Sequence, residues 1–222
     1  MRVIGIPSSD TSQSRRTAQK AELCKSSCSE SSASNATLKT SSFRVTLNGV
    51  TFFIMENLLP VKSFQETLHQ SMCGPASLKM VFDYYGYDKS EKDIAEMCGT
   101  TDELGTTAEG IQRAAQSIGL KAMIYDNSSL EDVQKWLDKK VPVIVNWFTR
   151  GRIDYGEEEV PDGHYSVVVG LDNEFIYLQD PEIGKSRKID REDFMKAWFD
   201  FKGRYIEPHE LIIRQLIAIE KK

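Results

Sequence analysis

The chain has 222 residues, is 40% hydrophobic and 27% charged, and carries a net charge of -5. That balance is ordinary for a globular protein, and an acidic chain without a basic stretch is a poor match for a phosphate-backbone binder. No run approaches the ~18 apolar residues of a membrane span, and the four cysteines are too sparse for a disulfide scaffold and lack zinc-site spacing. The expectation is a cytoplasmic protein with neither nucleic acid nor membrane as partner, whose chemistry rests on a few residues.

Residues 1–42 contain 12 Ser and 4 Thr and few large apolar side chains. Such a segment buries too little apolar surface to offset its ordering entropy. Residues 1–54 therefore read as a disordered Ser-rich extension, with a charge of +4 against -9 for the remainder. Arg15 and Arg16 form a pair, but no apolar h-region follows them, which argues against a secretory signal. Patterned sequence begins at Met55, a candidate native start, so the domain is placed at 55–222. The apolar run Val50–Ile54 reads equally as an added edge strand. Cys24 and Cys28, isolated among serines, read as incidental.

Helices come first in the body of the chain. In CGPASLKMVFDYYG, Pro75 suits a first helical turn and Gly86 a stop. Leu78, Val81, Phe82 and Tyr85 recur at helical spacing. Ser90 opens a short helix through DIAEMC, Thr107–Ile118 forms a third ended by Gly119, and Ser129 caps a fourth through LEDVQKWLDKK. Residues 120–125 alternate like a strand, and KVPVIVNWF reads as a central strand. Polar residues 150–162 form a loop. HYSVVVGL and EFIYLQ are two strands joined at Asp172-Asn173. A short strand follows PEIG, then a helix REDFMKAWF opened by Ser186 or Asp190, then a closing strand in LIIRQLIAIE. Helices followed by antiparallel strands indicate an α+β fold.

Three residues in this pattern suit nucleophilic chemistry. Cys73 precedes a helix, whose open N–H groups and positive dipole end favour a thiolate. Gly74 leaves room for a backbone to pass a substrate. Of three histidines, His69 and His209 lie in weakly patterned stretches, whereas His164 starts a strand after Asp162-Gly163. A hairpin loop at 171–173 sets His164 opposite Asp180; a loop at 172–173 sets it opposite Pro181. Opposed residues share a face within reach of each other. Asp180 can then hold one imidazole nitrogen and leave the other for Cys73, giving a Cys–His–Asp triad.

Gln65, the Cys73-Gly74-Pro75-Ala76-Ser77-Leu78 run, Gly105-Thr106-Thr107, Gly163-His164-Tyr165 through Gly170, and Asp180-Pro181 with Gly184 resemble the double-glycine-leader (bacteriocin-processing) cysteine peptidase family. The resemblance spans about residues 58–200 and implies a papain-like fold, with N-terminal helices packed on a C-terminal antiparallel sheet. It implies Cys73 as nucleophile, His164 as base and then acid, Asp180 as orienter, and Gln65, ahead of Gln70, as oxyanion-hole donor. Met72 stands where transporter-linked members place Asp, and the chain resembles the free-standing branch. The implied reaction is peptide hydrolysis through a thioester, with a peptide or protein substrate and no metal or organic cofactor. A non-catalytic peptide-binding domain, or a deamidase or amide acyltransferase on the same triad, is the alternative. The acidic run Glu157–Glu159 reads as a solvated loop or a lure for basic peptides. Trp147 reads as core ahead of cleft wall, and Cys98 as a buried thiol.

Overall fold

A computed structural model describes residues 43–47, 50–54, 58–68, 72–101, 105–149, 163–202 and 207–222. Expectations for residues 1–42, His69, Gln70 and the 150–162 loop fall outside the described residues. Strands β1 (Phe43–Leu47) and β2 (Val50–Ile54) pair antiparallel as a two-stranded sheet of their own.

Helix α1 (Cys73–Tyr85) ends at Gly86, whose φ of 83° lets the chain reverse. Sequence periodicity marks one stripe on α1, yet burial extends further. Ala76, Ser77, Leu78, Met80, Val81 and Phe82 are all fully buried. A helix covered this widely lies inside the fold rather than on its surface. Tyr85, the fourth residue of the stripe, is half-buried and donates its hydroxyl to the Ile219 carbonyl at 2.7 Å.

Helices α2 (Glu91–Cys98), α3 (Ala108–Ser117) and α4 (Leu130–Asp138) begin at Ser90, Thr107 and Ser129, as expected. Each of these hydroxyls accepts a first-turn backbone N–H. Ser129 and Asp132 cap each other reciprocally. Helix α5 (Arg191–Ala197) takes Asp190 as its cap rather than Ser186.

The main sheet has six antiparallel strands: β3 (Lys121–Tyr125), β4 (Val143–Phe148), β5 (Gly163–Leu171), β6 (Phe175–Asp180), β7 (Lys185–Asp190) and β10 (Leu216–Glu220). Their spatial order is β3-β10-β4-β5-β6-β7, so the last strand returns between β3 and β4. Residues Val143–Trp147 of β4 are buried at every position, which requires cover on both faces of the sheet. The closing apolar run is not one strand. It breaks at Arg214, whose φ is 47°. Its first half, β9 (Leu211–Ile213), pairs with β8 (Phe199–Phe201) in a small separate sheet that sequence patterning did not reveal.

The β5–β6 connection spans residues 172–174. Asp172 accepts the N–H groups of Glu174 and Phe175 at 2.8 and 2.7 Å and the Tyr177 hydroxyl at 2.9 Å. That is an Asx turn, the role expected of Asp-Asn here. The strands pair as Leu171↔Ile176 and Gly170↔Tyr177, then shift to Val168↔Leu178 and Val167↔Gln179. Val169 is the extra residue of a β-bulge. Its carbonyl accepts the Leu59 N–H at 2.7 Å, fastening an extended segment of residues 58–68 across the hairpin. Gln179 adds a bond to the Val61 carbonyl, and the Glu66 N–H bonds the Pro181 carbonyl.

Candidate active site

Cys73 is the first residue of α1 and is half-buried. Met72 before it supplies no side-chain cap to the helix mouth. Ser77, one turn further on, donates its hydroxyl to the Tyr165 carbonyl at 3.1 Å. Ser77 lies on the same helix face as Cys73, and Tyr165 follows His164. This buried bond therefore sets the sulfur in register with the ring.

His164 is buried near the start of β5. Its Nε2 meets Asp180 Oδ1 at 2.9 Å. The Cys73 side chain lies near enough to the ring to raise its proton affinity. With Nε2 committed to Asp180, Nδ1 is the nitrogen left for the sulfur. Burial alone would lower the proton affinity of the imidazole. The charge and hydrogen bond of Asp180, together with the Cys73 side chain, outweigh burial and raise its pKa well above 6.5. Trp147 lies edge-on to the ring at 6.0 Å and donates its indole N–H to Ser166. It is fully buried, so the core reading of Trp147 holds, and the same ring walls the imidazole.

Asp180 does not face His164 directly. Continuing Val167↔Gln179 by one pair sets Asp180 level with Ser166, which makes it the diagonal neighbour of His164 on one face. Both expected loop lengths therefore misplaced the register. Without the bulge, Asp180 would stand level with Val167 and point to the other face. The carboxylate is fully buried, and its partners among the described residues include a ring, a backbone N–H and a guanidinium. Oδ1 accepts from His164 and from the Glu182 N–H at 3.0 Å, and Oδ2 accepts from Arg187 Nε. Burial pushes its pKa up, but the His164 and Arg187 charges and hydrogen bonds pull it down to about 2.

Arg187 was missed by sequence reading. Its only local signal is a cation seven residues after Asp180, across the tight turn at 181–184. Asp180 pairs with Lys185, so Arg187 is again a diagonal neighbour on the same face. His164, Asp180 and Arg187 thus step across β5, β6 and β7 in one line. Ligand-capable atoms of His164, Asp180 and Glu182 lie within 4.8 Å of one another. Both Asp180 oxygens are already committed, one of them to a guanidinium, so this cluster does not suit a cation.

Gln65 is exposed and donates its amide to the Glu182 carbonyl at 3.1 Å. The oxyanion role needs that same N–H₂ group. Its Cβ lies 2.6 Å from where a Cβ on Gly184 would stand, so it also packs on the turn after β6. Gly74 has a different job from the one expected. A Cβ there would meet Thr106 Cβ at 2.6 Å, so the glycine makes room for the Thr106 side chain rather than for a substrate. Gly163 likewise leaves space for the Asp200 carboxylate, 2.4 Å from its hypothetical Cβ. Cys98 is buried in α2, and burial, only partly offset by the Arg113 charge, pushes its thiol up to about 12. His209 is exposed in the turn before β9.

A match to the Peptidase_C39 like family covers residues 59–206. The chain belongs to that family. It is 32% identical over 139 residues to the transport/processing ATP-binding protein ComA of Streptococcus pneumoniae, a match covering 62% of this chain and 18% of ComA. It is 35% identical over 129 residues to an uncharacterized protein of Methanothermobacter marburgensis, covering 57% of this chain and 75% of that one. The solved peptidase domain of Streptococcus ComA shares the fold, with a TM-score of 0.55 and 24% identity over 73% of this chain and 99% of that domain. So does a double glycine motif protease from an AMS/PCAT transporter, solved in complex with its leader peptide (TM-score 0.55, 22% identity, 76% and 97% covered). The papain-like α+β expectation is thereby met. Among the described residues, no helix is long and apolar enough to cross a membrane.

Proposed function

We propose that the chain is a cysteine peptidase acting through Cys73, His164 and Asp180. The carrying observation is that one buried imidazole bonds a buried carboxylate and has beside it the side chain of Cys73, at the mouth of a helix. Cys73 Sγ attacks the peptide carbonyl carbon, and its proton resides on His164. The oxyanion forms against the Cys73 backbone N–H at the positive end of α1. The C–N bond breaks as His164 delivers the proton to the leaving amine, leaving a thioester. Water then attacks the thioester, His164 takes its proton, and the acid departs as the thiol re-forms. Asp180 stabilises the imidazolium throughout. The relatives that carry the words processing and double glycine motif in their names support a peptide substrate.

Peptide profiling of the purified chain tests the reading. Cys73→Ala and His164→Ala abolish turnover with the fold intact, and Asp180→Asn retains a measurable fraction. Iodoacetamide labels Cys73 far ahead of the buried Cys98. Gln65 spends one of its two amide N–H donors on the Glu182 carbonyl, which leaves the other for an oxyanion. Gln65→Ala lowers kcat by up to the ~100- to 1000-fold loss of an oxyanion donor. Full turnover by Cys73→Ala would end the proposal.

A further inference from the structure

We propose that Arg187 is a positioning residue of this site, holding Asp180 in orientation and limiting how tightly His164 keeps its proton. This rests on the cysteine peptidase reading for its purpose, though not for its geometry. Arg187 Nε bonds Asp180 Oδ2 while His164 Nε2 bonds Oδ1, so the carboxylate is gripped from two strands at once. The Arg187 side chain is only 9% exposed and Asp180 is fully buried, so water screens this pair little. A buried pair of this kind is weak support for stability by itself, because both ions lose hydration. Its value lies in what it does to the third member of the line.

The physical consequence has a definite sign. When the imidazolium loses its proton, Asp180 must remain as a buried anion. With Arg187 beside it, that anion still has a cation. Without Arg187 the anion loses that cation, and the Asp180–His164 pair holds its proton more tightly. Among the described residues, the other groups around the ring include Cys73 from α1, Glu66 from the 58–68 segment, Glu182 from the turn after β6, and Asp200 of β8 against neighbouring Gly163. All of these are kept in the Arg187 variants, so the substitution removes the Arg187 charge alone.

The test needs no substrate. The His164 ring is titrated by NMR in the full chain, beside the pH profile of iodoacetamide alkylation at Cys73, read on the labelled peptide. In Arg187→Met the imidazole titration and the upper limb of the alkylation profile both move to higher pH by about one unit, a tenfold gain in proton affinity. Arg187→Gln, which keeps a donor but no charge, moves them equally and serves if Arg187→Met does not fold. Arg187→Lys restores the charge and returns the titration to within a few tenths of wild type. It does not restore the planar Nε contact, so alkylation stays slower. Titrations of Arg187→Met or Arg187→Gln that superimpose on wild type overturn the proposal. A shifted titration in a chain that cleaves no peptide leaves Arg187 as argued and removes only the peptidase reading.

Discussion

Two carboxyl groups close in space to the His164 ring are driven in opposite directions by similar surroundings. Asp180 is fully buried yet held down to about 2, because two cations and a backbone N–H meet its oxygens. Glu66 is pushed up to about 7: burial dominates, the His164 charge works against it, and Glu182, Glu91 and Asp180 add repulsion. Its Oε2 is buried and meets no partner among the described residues. A carboxyl whose folded pKa lies above its unfolded 4.5 binds extra protons in the fold between pH 4.5 and about 7. Stability is then lost as pH rises through that window. Glu66→Gln removes the penalty. The variant should match wild type in urea melts at pH 4 and exceed it at pH 8 by about 1 kcal/mol, a figure discounted for partial exposure. Equal stability at pH 8 would place the carboxyl in water. Glu66 could not be singled out from sequence, since its neighbour Gln65 carries the more recognisable side chain and only tertiary packing turns one outward and the other in.

Among the elements, α1 and the β5–β6 hairpin decide whether sulfur and ring meet. The start of α1 is legible from Cys73-Gly74-Pro75, since proline loses nothing in a first turn. Its depth of burial is not, because Ala76, Ser77 and Met80 fall outside the apolar stripe that periodicity selects. The tight contact between Gly74 and Thr106 is also invisible in either local pattern. Gly74→Ala should cost about 1–3 kcal/mol by overpacking and should slow Cys73 alkylation as the helix mouth shifts. Adding Thr106→Gly should recover most of both losses. Thermal melts and labelling rates check this, and a Gly74→Ala chain identical to wild type would mean the helix has slack there. In the hairpin, the turn at Asp172 is legible because Asp and Asn have a local backbone-bonding habit. The bulge at Val169 is not. It sits inside a valine run and is marked only by the Leu59 N–H that arrives from over a hundred residues earlier.

For the molecule as a whole, the site ties stability to pH at both ends. Asp180, with a folded pKa of about 2 against an ordinary 3.8, contributes stability that is present above about pH 4 and lost as pH falls through 2. Acid melts should show about 2 kcal/mol of this loss, and Asp180→Asn should flatten that limb. His164 has the opposite sign: its raised affinity contributes below 6.5 and is lost as pH rises through the folded value. A stability profile for Asp180→Asn as steep in acid as wild type would assign the loss to other carboxylates.

Sequence by itself determined the order and type of most elements, their caps, and the placing of Cys73 at a helix start and His164 at a strand start. Each follows from side chains within a few positions of one another, where helix and strand periods and cap chemistry act. Tertiary structure alone decided that Asp180 shares a face with His164, that Arg187 closes on Asp180, that Gln65 turns to Glu182, and that the closing run divides between two sheets. These depend on strand register and its parity, and parity was changed by one inserted residue whose carbonyl is claimed by a distant N–H.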